Sequence, residues 1–133
     1  MVTPGPNWKP LFLAVVMLAA CGGTEADNAA FDRALGVARP AEVTVQGKVT
    51  ALLPDGNGTD GPHQRFRIDV DSHQVEIDHN LTLAGRVPLA VGDTVLVHGQ
   101  FEPDPGRPVI HYTHHATGNH PGGWIEAGGK AYD

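Results

Sequence analysis

The sequence predicts an all-β domain built as a small, partly open barrel. From residue 42 onward, apolar and polar residues alternate with a period of two, which is typical of half-buried strands. Glycine and proline are frequent, with 17 and 11 in 133 residues, and they separate short apolar segments. Three predicted strands meander, a connector follows, and two more strands come after it. This is the order of the five-stranded OB-fold.

The first segment, residues 1–20, is predicted to be a secretory signal peptide. Lys9 precedes an apolar run over residues 11–20, and small residues stand directly before Cys21. The run is too short for a membrane-spanning helix, which needs roughly 20 residues. The letters LAAC resemble the lipobox of bacterial lipoproteins, which implies acyl chains on Cys21 as a membrane anchor. Gly22 follows the cysteine where inner-membrane lipoproteins carry Asp, so the resemblance favours the outer membrane of the envelope. The alternative is an ordinary cleaved signal that leaves a free thiol.

The cysteine content and the net charge indicate which classes of function are unfavourable for this protein. A single cysteine cannot form an internal disulfide, and a lipid thioether would remove an exposed thiol from an exported protein. Without residues 1–20, eight basic and fifteen acidic residues remain, a net charge of −7 with histidine neutral. This acidic balance argues against nucleic-acid binding, for which basic residues supply most of the affinity. It equally argues against electrostatic attachment to anionic lipid.

Residues 21–40 are predicted as the lipidated N-terminus and a flexible tether. Asn28 could cap one or two helical turns that Gly36 closes, and such a short helix must dock to be stable. The β domain is predicted over residues 41–133, with a glycine-rich loop over residues 54–62. Gly47 and Gly99 suit the strand bends of a barrel. A small β-sandwich or an open meander is the alternative architecture. The predicted strands cover residues 42–51, 63–70, 74–78, 94–101 and 108–114.

Eight histidines in 133 residues are the main functional signal. His63 begins the second predicted strand and His79 ends the third, which places both at one end of the sheet. Neutral imidazole is a common ligand of transition-metal ions such as zinc. The candidate metal or small-ligand residues are His63, His79, His111, His114, His115 and His120, with Gln64, Arg65, Asn80 and Trp124 in support.

The spacing of these histidines does not specify a metal. On a strand, His111 faces opposite to His114, so at most two histidines of residues 111–115 reach one site unless the strand ends before His114. The pattern is not the helical HExxH of zinc enzymes, and an acylated Cys21 leaves no thiolate ligand. His73 and His98 are predicted to be solvated or hydrogen-bonded, and Trp124 is predicted to close the core.

Several short motifs are similar to those of a bacterial family. They are the HQRF of residues 63–66, the HN of residues 79–80, the HYTHH of residues 111–115 and the GWI of residues 123–125. They resemble a family of small exported proteins that is known only as a domain of unknown function. The family motif usually reads His-Trp-Thr-His-His-Asp, so Tyr112 and Ala116 depart from it. The resemblance covers about residues 45–132 and implies a polar cluster without a known activity.

Three functions remain open at this point. The leading hypothesis is a lipid-anchored periplasmic module that binds a metal ion or small ligand through its histidines. The second is a hydrolase of a phosphoester or cell-envelope substrate with a histidine as general base and Arg65 or Arg67 holding the anion. The third is an interaction module that docks an envelope protein and uses the histidines only structurally.

Overall fold

The computed structural model describes residues 2, 3, 5 and 25–133. Most of the predicted signal peptide, and Cys21 with it, lies outside the described residues. No helix within the described ranges is both long enough and apolar enough to cross a membrane. The elements are α1 (Asn28–Val37), β1 (Ala41–Gly58), β2 (Gly61–Val70), β3 (His73–Asn80), β4 (Thr94–Glu102), β5 (Val109–His111), β6 (Trp124–Ala127) and β7 (Lys130–Tyr132).

The first five strands pair in a ring. Strand β1 pairs antiparallel with β2, β2 with β3, β4 with β5, and β4 again with β1, while β3 and β5 pair in parallel. The prediction of a mostly β fold with the strand order of an OB-fold is confirmed. Strands β6 and β7 extend the sheet beyond β4.

Strand β1 bends because it serves two partners. Its first half pairs with β4 up to Lys48, and from Lys48 onward it pairs with β2. A Cβ at Gly47 would lie 2.5 Å from the backbone oxygen of Asp69, so the strand can approach its neighbour only with glycine at this position. The apolar faces of the strands enclose one core, in which Phe66 and Ile77 are fully buried.

Some predicted boundaries differ from the structure. The predicted loop over residues 54–62 is the end of a hairpin, because β1 runs to Gly58 and pairs there with Gly61 of β2. Strand β5 ends at His111, three residues before its predicted end. Strands β6 and β7 were not predicted, because three or four residues beside glycines give too little alternation to recognise.

Helix α1 belongs to the folded domain. Its N-cap is Asp27, whose side chain accepts a hydrogen bond from the Ala30 amide at 2.9 Å, and not Asn28 as predicted. Asn28 instead bonds the backbone of Gln46 on β1. Phe31 is fully buried and meets the ring of Phe101 edge-on at 5.2 Å. Part of the predicted tether is thus a docked element.

Candidate functional site

A groove with a volume of about 970 Å³ lies between the β1–β2 hairpin tip and the segment that follows β5. Its wall is polar and rich in titratable groups. Six of the predicted site residues line it, namely His63, Arg65, Asn80, His111, His114 and His120. Three further lining residues, which were not among the predicted site residues, are Asp78, Arg107 and Tyr112.

The backbone at Tyr112 brings several histidines to this groove. Strand β5 ends at His111, and Tyr112 has a φ of 56°, in the left-handed region that non-glycine residues rarely adopt. The alternation of a continuous strand is lost there, so both His111 and His114 line the groove. Thr113 is fully buried behind them. The prediction allowed for this case, because it let His111 and His114 reach one site if the strand ended before His114, as it does.

Glycine makes room for this turn. A Cβ at Gly123 would collide with the backbone oxygens of Tyr112 and His98. The Gly123 amide donates a hydrogen bond to the His114 carbonyl at 2.7 Å. Segment 112–114 is therefore held against the start of β6 by backbone contact, which fixes the side chains of the groove wall.

The ring of Tyr112 lies between two imidazoles. Its centroid is 3.9 Å from that of His111 and 3.8 Å from that of His120, with interplanar angles of 26° and 27°. The His114 ring contacts His120 at 5.0 Å, inclined by 66°. Because both faces of Tyr112 are covered, the stack orders the histidines and leaves no aromatic face for a ligand.

Three groove histidines share one hydrogen-bond arrangement. Each places its Nδ1 close to a backbone carbonyl: His63 to Gly61 at 2.9 Å, His114 to His115 at 2.8 Å and His120 to Pro121 at 3.3 Å. A carbonyl only accepts, so each Nδ1 carries the hydrogen, and in the neutral ring Nε2 keeps a lone pair. At His120 this Nε2 accepts from the Thr117 hydroxyl at 3.1 Å.

His111 is oriented by a carboxylate. Its buried Nε2 lies 3.6 Å from Oε1 of Glu102 and makes no hydrogen bond to the described residues. Burial lowers the pKa of His111, although Glu102 opposes the shift. Burial likewise lowers the pKa of His114. Both rings are therefore neutral at pH 7, and each keeps one nitrogen lone pair as an acceptor.

Two carboxyl groups, that of Asp78 in the groove lining and that of the buried Glu76, lie between two arginines. Glu76 accepts from Arg65 Nη2 at 2.9 Å and from Arg107 Nε at 3.0 Å, and Arg107 Nη2 also reaches Asp78 at 3.0 Å. Burial, with the neighbouring Glu76, raises the pKa of Asp78 to about 7. Burial also disfavours the charge on Glu76, but hydrogen bonds from Asp78, Arg107 and Arg65 outweigh it and lower its pKa to about 2.

Sequence reasoning missed this pair although a signal was present. Glu76 and Asp78 stand two apart on β3, so they share a face of the strand. Asp78 lies directly opposite Arg65 in the β2–β3 register. Arg107 comes from the β4–β5 connection, and nothing local in the sequence places it near β3.

Two other predicted site residues, His79 and Gln64, make buried hydrogen bonds within the fold. His79 is fully buried, with Nδ1 2.8 Å from the Thr113 hydroxyl and Nε2 2.9 Å from the Gly85 carbonyl, and burial lowers its pKa. His79 does not line the groove, and its two hydrogen bonds tie β3 to segments 112–114 and 81–87. Gln64 is also buried and bonds both backbone groups of Val87 at 2.8 Å.

The remaining candidates lie at the surface or behind the groove. His115 is exposed, and its carbonyl accepts the bond from His114. Trp124 is half-buried and stacks on His98 at 4.3 Å, away from the groove residues. His98 bonds the Thr44 hydroxyl at 2.7 Å, as expected for a hydrogen-bonded histidine. Within residues 25–133, no three His, Cys, Asp or Glu side chains are placed to hold one metal ion.

Comparison with known families identifies the family of this chain. The family model described as "Protein of unknown function (DUF3465)" matches residues 15–133. The chain belongs to this family. The predicted resemblance to an uncharacterised domain family is thereby confirmed, and the family description assigns no activity. No curated protein matches the chain.

A solved structure with some likeness is described as the crystal structure of the ZRD-deleted mutant of TiaS in complex with agmatine. It is 18% identical, with a TM-score of 0.37, and the match covers 67% of this chain. The match spans only 26% of that chain. At this TM-score the likeness carries no argument about fold or function.

Proposed function

We propose that this DUF3465 protein is a lipid-anchored binding module of the bacterial cell envelope that binds a small polar ligand or ion in the groove. The carrying observation is that four histidines line one groove, and that two of them, His63 and His114, have Nδ1 bonded to a backbone carbonyl while Nε2 makes no hydrogen bond to the residues that the structure describes. Histidines that bind ligands or metals are commonly held in this way, because the internal bond fixes the tautomer and aims the other nitrogen outward.

The chemistry of the groove favours a ligand that offers hydrogen-bonding groups. In their neutral forms, His63 and His114 keep a lone pair on Nε2, which accepts from hydroxyl or amine groups. A metal ion would use the same lone pairs. Because no three metal-binding side chains in residues 25–133 are placed around one point, a metal site requires at least one ring to rotate.

Binding is tested by titration calorimetry and NMR on the full-length protein in detergent. The probes are Zn²⁺, Cu²⁺ and Ni²⁺, and a set of small polyols, amines and oxyanions. A probe that binds the wild type should bind His114→Ala at least about tenfold more weakly, a loss of about 1.4 kcal/mol, because the lone pair is gone. The matched control is His73→Ala, since His73 is exposed at the first position of β3 and does not line the groove.

Two results would contradict the binding proposal. One is the absence of any probe affinity tighter than about 1 mM, which corresponds to only about 4 kcal/mol. The other is that His63→Ala and His114→Ala change only the melting temperature, while membrane pull-downs recover the same partner protein with wild type and variants. That second result would favour an interaction module with structural histidines.

The membrane anchor is a separate part of the proposal. It rests on the apolar run that ends at Cys21, the single cysteine of the chain, and on the net charge of −7 that leaves the domain no electrostatic reason to bind anionic lipid. Buried acyl chains contribute about 0.8 kcal/mol per CH₂, so the protein should resist washing with salt and carbonate. Cys21→Ser should be released or remain unprocessed. Wild type in the soluble fraction, without added lipid mass, would overturn the anchor.

A hydrolase is the second candidate, favoured by the Glu102–His111 pair. A carboxylate beside one ring nitrogen of a histidine that lines a groove is the arrangement of a general base and its orienting group. Chromogenic phosphodiesters, esters and glycans test this. Turnover that is lost in His111→Ala and retained in His73→Ala would support it. Absence of turnover across the panel would remove the support for it.

A further inference from the structure

Two guanidinium groups in the groove wall have donors to spare. Arg65 uses Nη2 for Glu76, and Arg107 uses Nε and Nη2 for Glu76 and Asp78. Within residues 25–133, Nη1 of each arginine makes no hydrogen bond. Arginine presents its donors in a planar fork that matches carboxylate, phosphate and sulfate oxygens. The wall therefore offers the chemistry of an oxyanion site.

The charge of this cluster depends on one proton. With Glu76 and Asp78 both ionised, they cancel the charges of Arg65 and Arg107. With a proton on Asp78, the cluster keeps one positive charge. Asp78 Oδ1 is buried without a hydrogen-bond partner, and the Arg65 Nε that faces it at 3.9 Å is unpartnered as well. The ionised form of Asp78 is thus incompletely stabilised by the pairs that surround it.

We propose that the groove binds a small oxyanion through Arg65 and Arg107, and that the anion is taken up together with a proton on Asp78. This inference rests on the proposed function and names the ligand class of that same groove. The burial that raises the pKa of Asp78 to about 7 places the proton exchange near neutral pH. Anion affinity then falls as the pH rises through this range.

Other charges contribute to the same pH dependence and must be separated from it. Asp78 itself faces Arg65 from β2, Glu76 from β3 and Arg107 from the β4–β5 connection. Acidification also adds positive charge to His111 and His114, whose pKa burial lowers. The other ionisable side chains that line the groove outside the Asp78 cluster are Asp60 at the hairpin tip, His63, Tyr112 and His120.

The test uses sulfate, which stays a dianion across the whole range, so a change in its affinity reports on the protein. Sulfate affinity of the full-length protein in detergent is measured at about pH 6, about pH 7 and about pH 8.5. Wild-type affinity should fall at least about tenfold over this range. Asp78→Asn, which keeps the shape and removes the charge, should bind about tenfold more tightly than wild type at the highest pH.

Controls separate the local charge from the net charge. Glu126→Gln makes the same change of net charge at an exposed position of β6, outside the groove, and should follow the wild-type pH profile. Arg107→Gln should weaken sulfate binding at every pH, because a groove-lining donor group is lost. Melting temperatures show whether each variant is folded. If Asp78→Asn does not fold, the oxyanion site is tested by the sulfate affinity of Arg107→Gln and by the pH profile of the wild type.

The outcomes distinguish this inference from the proposed function. An Asp78→Asn profile that matches wild type, or Arg107→Gln with unchanged affinity, overturns the proton-linked oxyanion site. If wild type binds Zn²⁺ or an amine in the groove and no sulfate at any pH, the inference fails while the binding proposal stands. If no probe binds, both fail.

Discussion

Replacing Gly123 by alanine should damage the site through the backbone. The added Cβ would collide with the backbone oxygens of Tyr112 and His98. Neither oxygen belongs to a flexible side chain, so β4, β6 or segment 112–114 must shift. Overpacking of this kind typically costs 1–3 kcal/mol, and contact with two backbone groups predicts about 3 kcal/mol. For a domain of this size, that corresponds to a fall in melting temperature of about 10–20 °C.

Gly118→Ala is the matched control. Gly118 lies, like Gly123, in the connection between β5 and β6, and a Cβ at Gly118 would meet no atom within 4 Å. Both variants stiffen the unfolded chain equally, by about 0.4–1 kcal/mol, so the difference between them isolates the collision. The measurements are urea unfolding and the NMR signals of His111 and His114. If Gly123→Ala unfolds within about 0.5 kcal/mol of Gly118→Ala, with unmoved histidine signals, the account of the turn is wrong.

Three further predictions concern stability. Phe31→Ala should destabilise the domain by about 3–5 kcal/mol, because the ring is fully buried against Phe101. If urea unfolding shows that the free energy of unfolding falls by less than about 1 kcal/mol, α1 is not docked on the domain. His79→Ala should lower the free energy of unfolding by about 2–4 kcal/mol, because buried partners such as the Thr113 hydroxyl are left unpaired. His63→Ala should lower it by under about 1 kcal/mol, and equal losses of stability in thermal melts would argue against a scaffold role for His79. Since the pKa of Asp78 is raised to about 7, the folded state binds its proton more tightly than the unfolded chain, and the stability that this proton contributes is lost as the pH rises from about 4 to about 7. The lowered pKa values of His79, His111 and His114 act in the opposite sense in both proteins, so the prediction concerns a difference: wild type should lose stability relative to Asp78→Asn over this range, and parallel curves would contradict the raised pKa.

Local patterns in the sequence carried the prediction of the fold. Alternation over β2 and β4 is visible residue by residue, because a strand turns each side chain to the opposite face. The strand order then followed from counting strands and their connector, and the ring of pairings agrees with it. Strands β6 and β7 were not predicted, because four and three residues are too few to show the alternation of a strand.

The sequence by itself determined the mostly β fold, the family and the histidine-rich surroundings of the groove. Only the tertiary structure decided which polar groups face the groove. His79 and His63 look alike in sequence, yet Thr113 and Gly85 occupy both nitrogens of His79, and both contacts come from outside its strand. Arg107 reaches Glu76 across 31 positions of sequence. The physical reason is that burial, hydrogen bonding and charge at a site depend on neighbours that the fold brings together, and a local pattern cannot contain them.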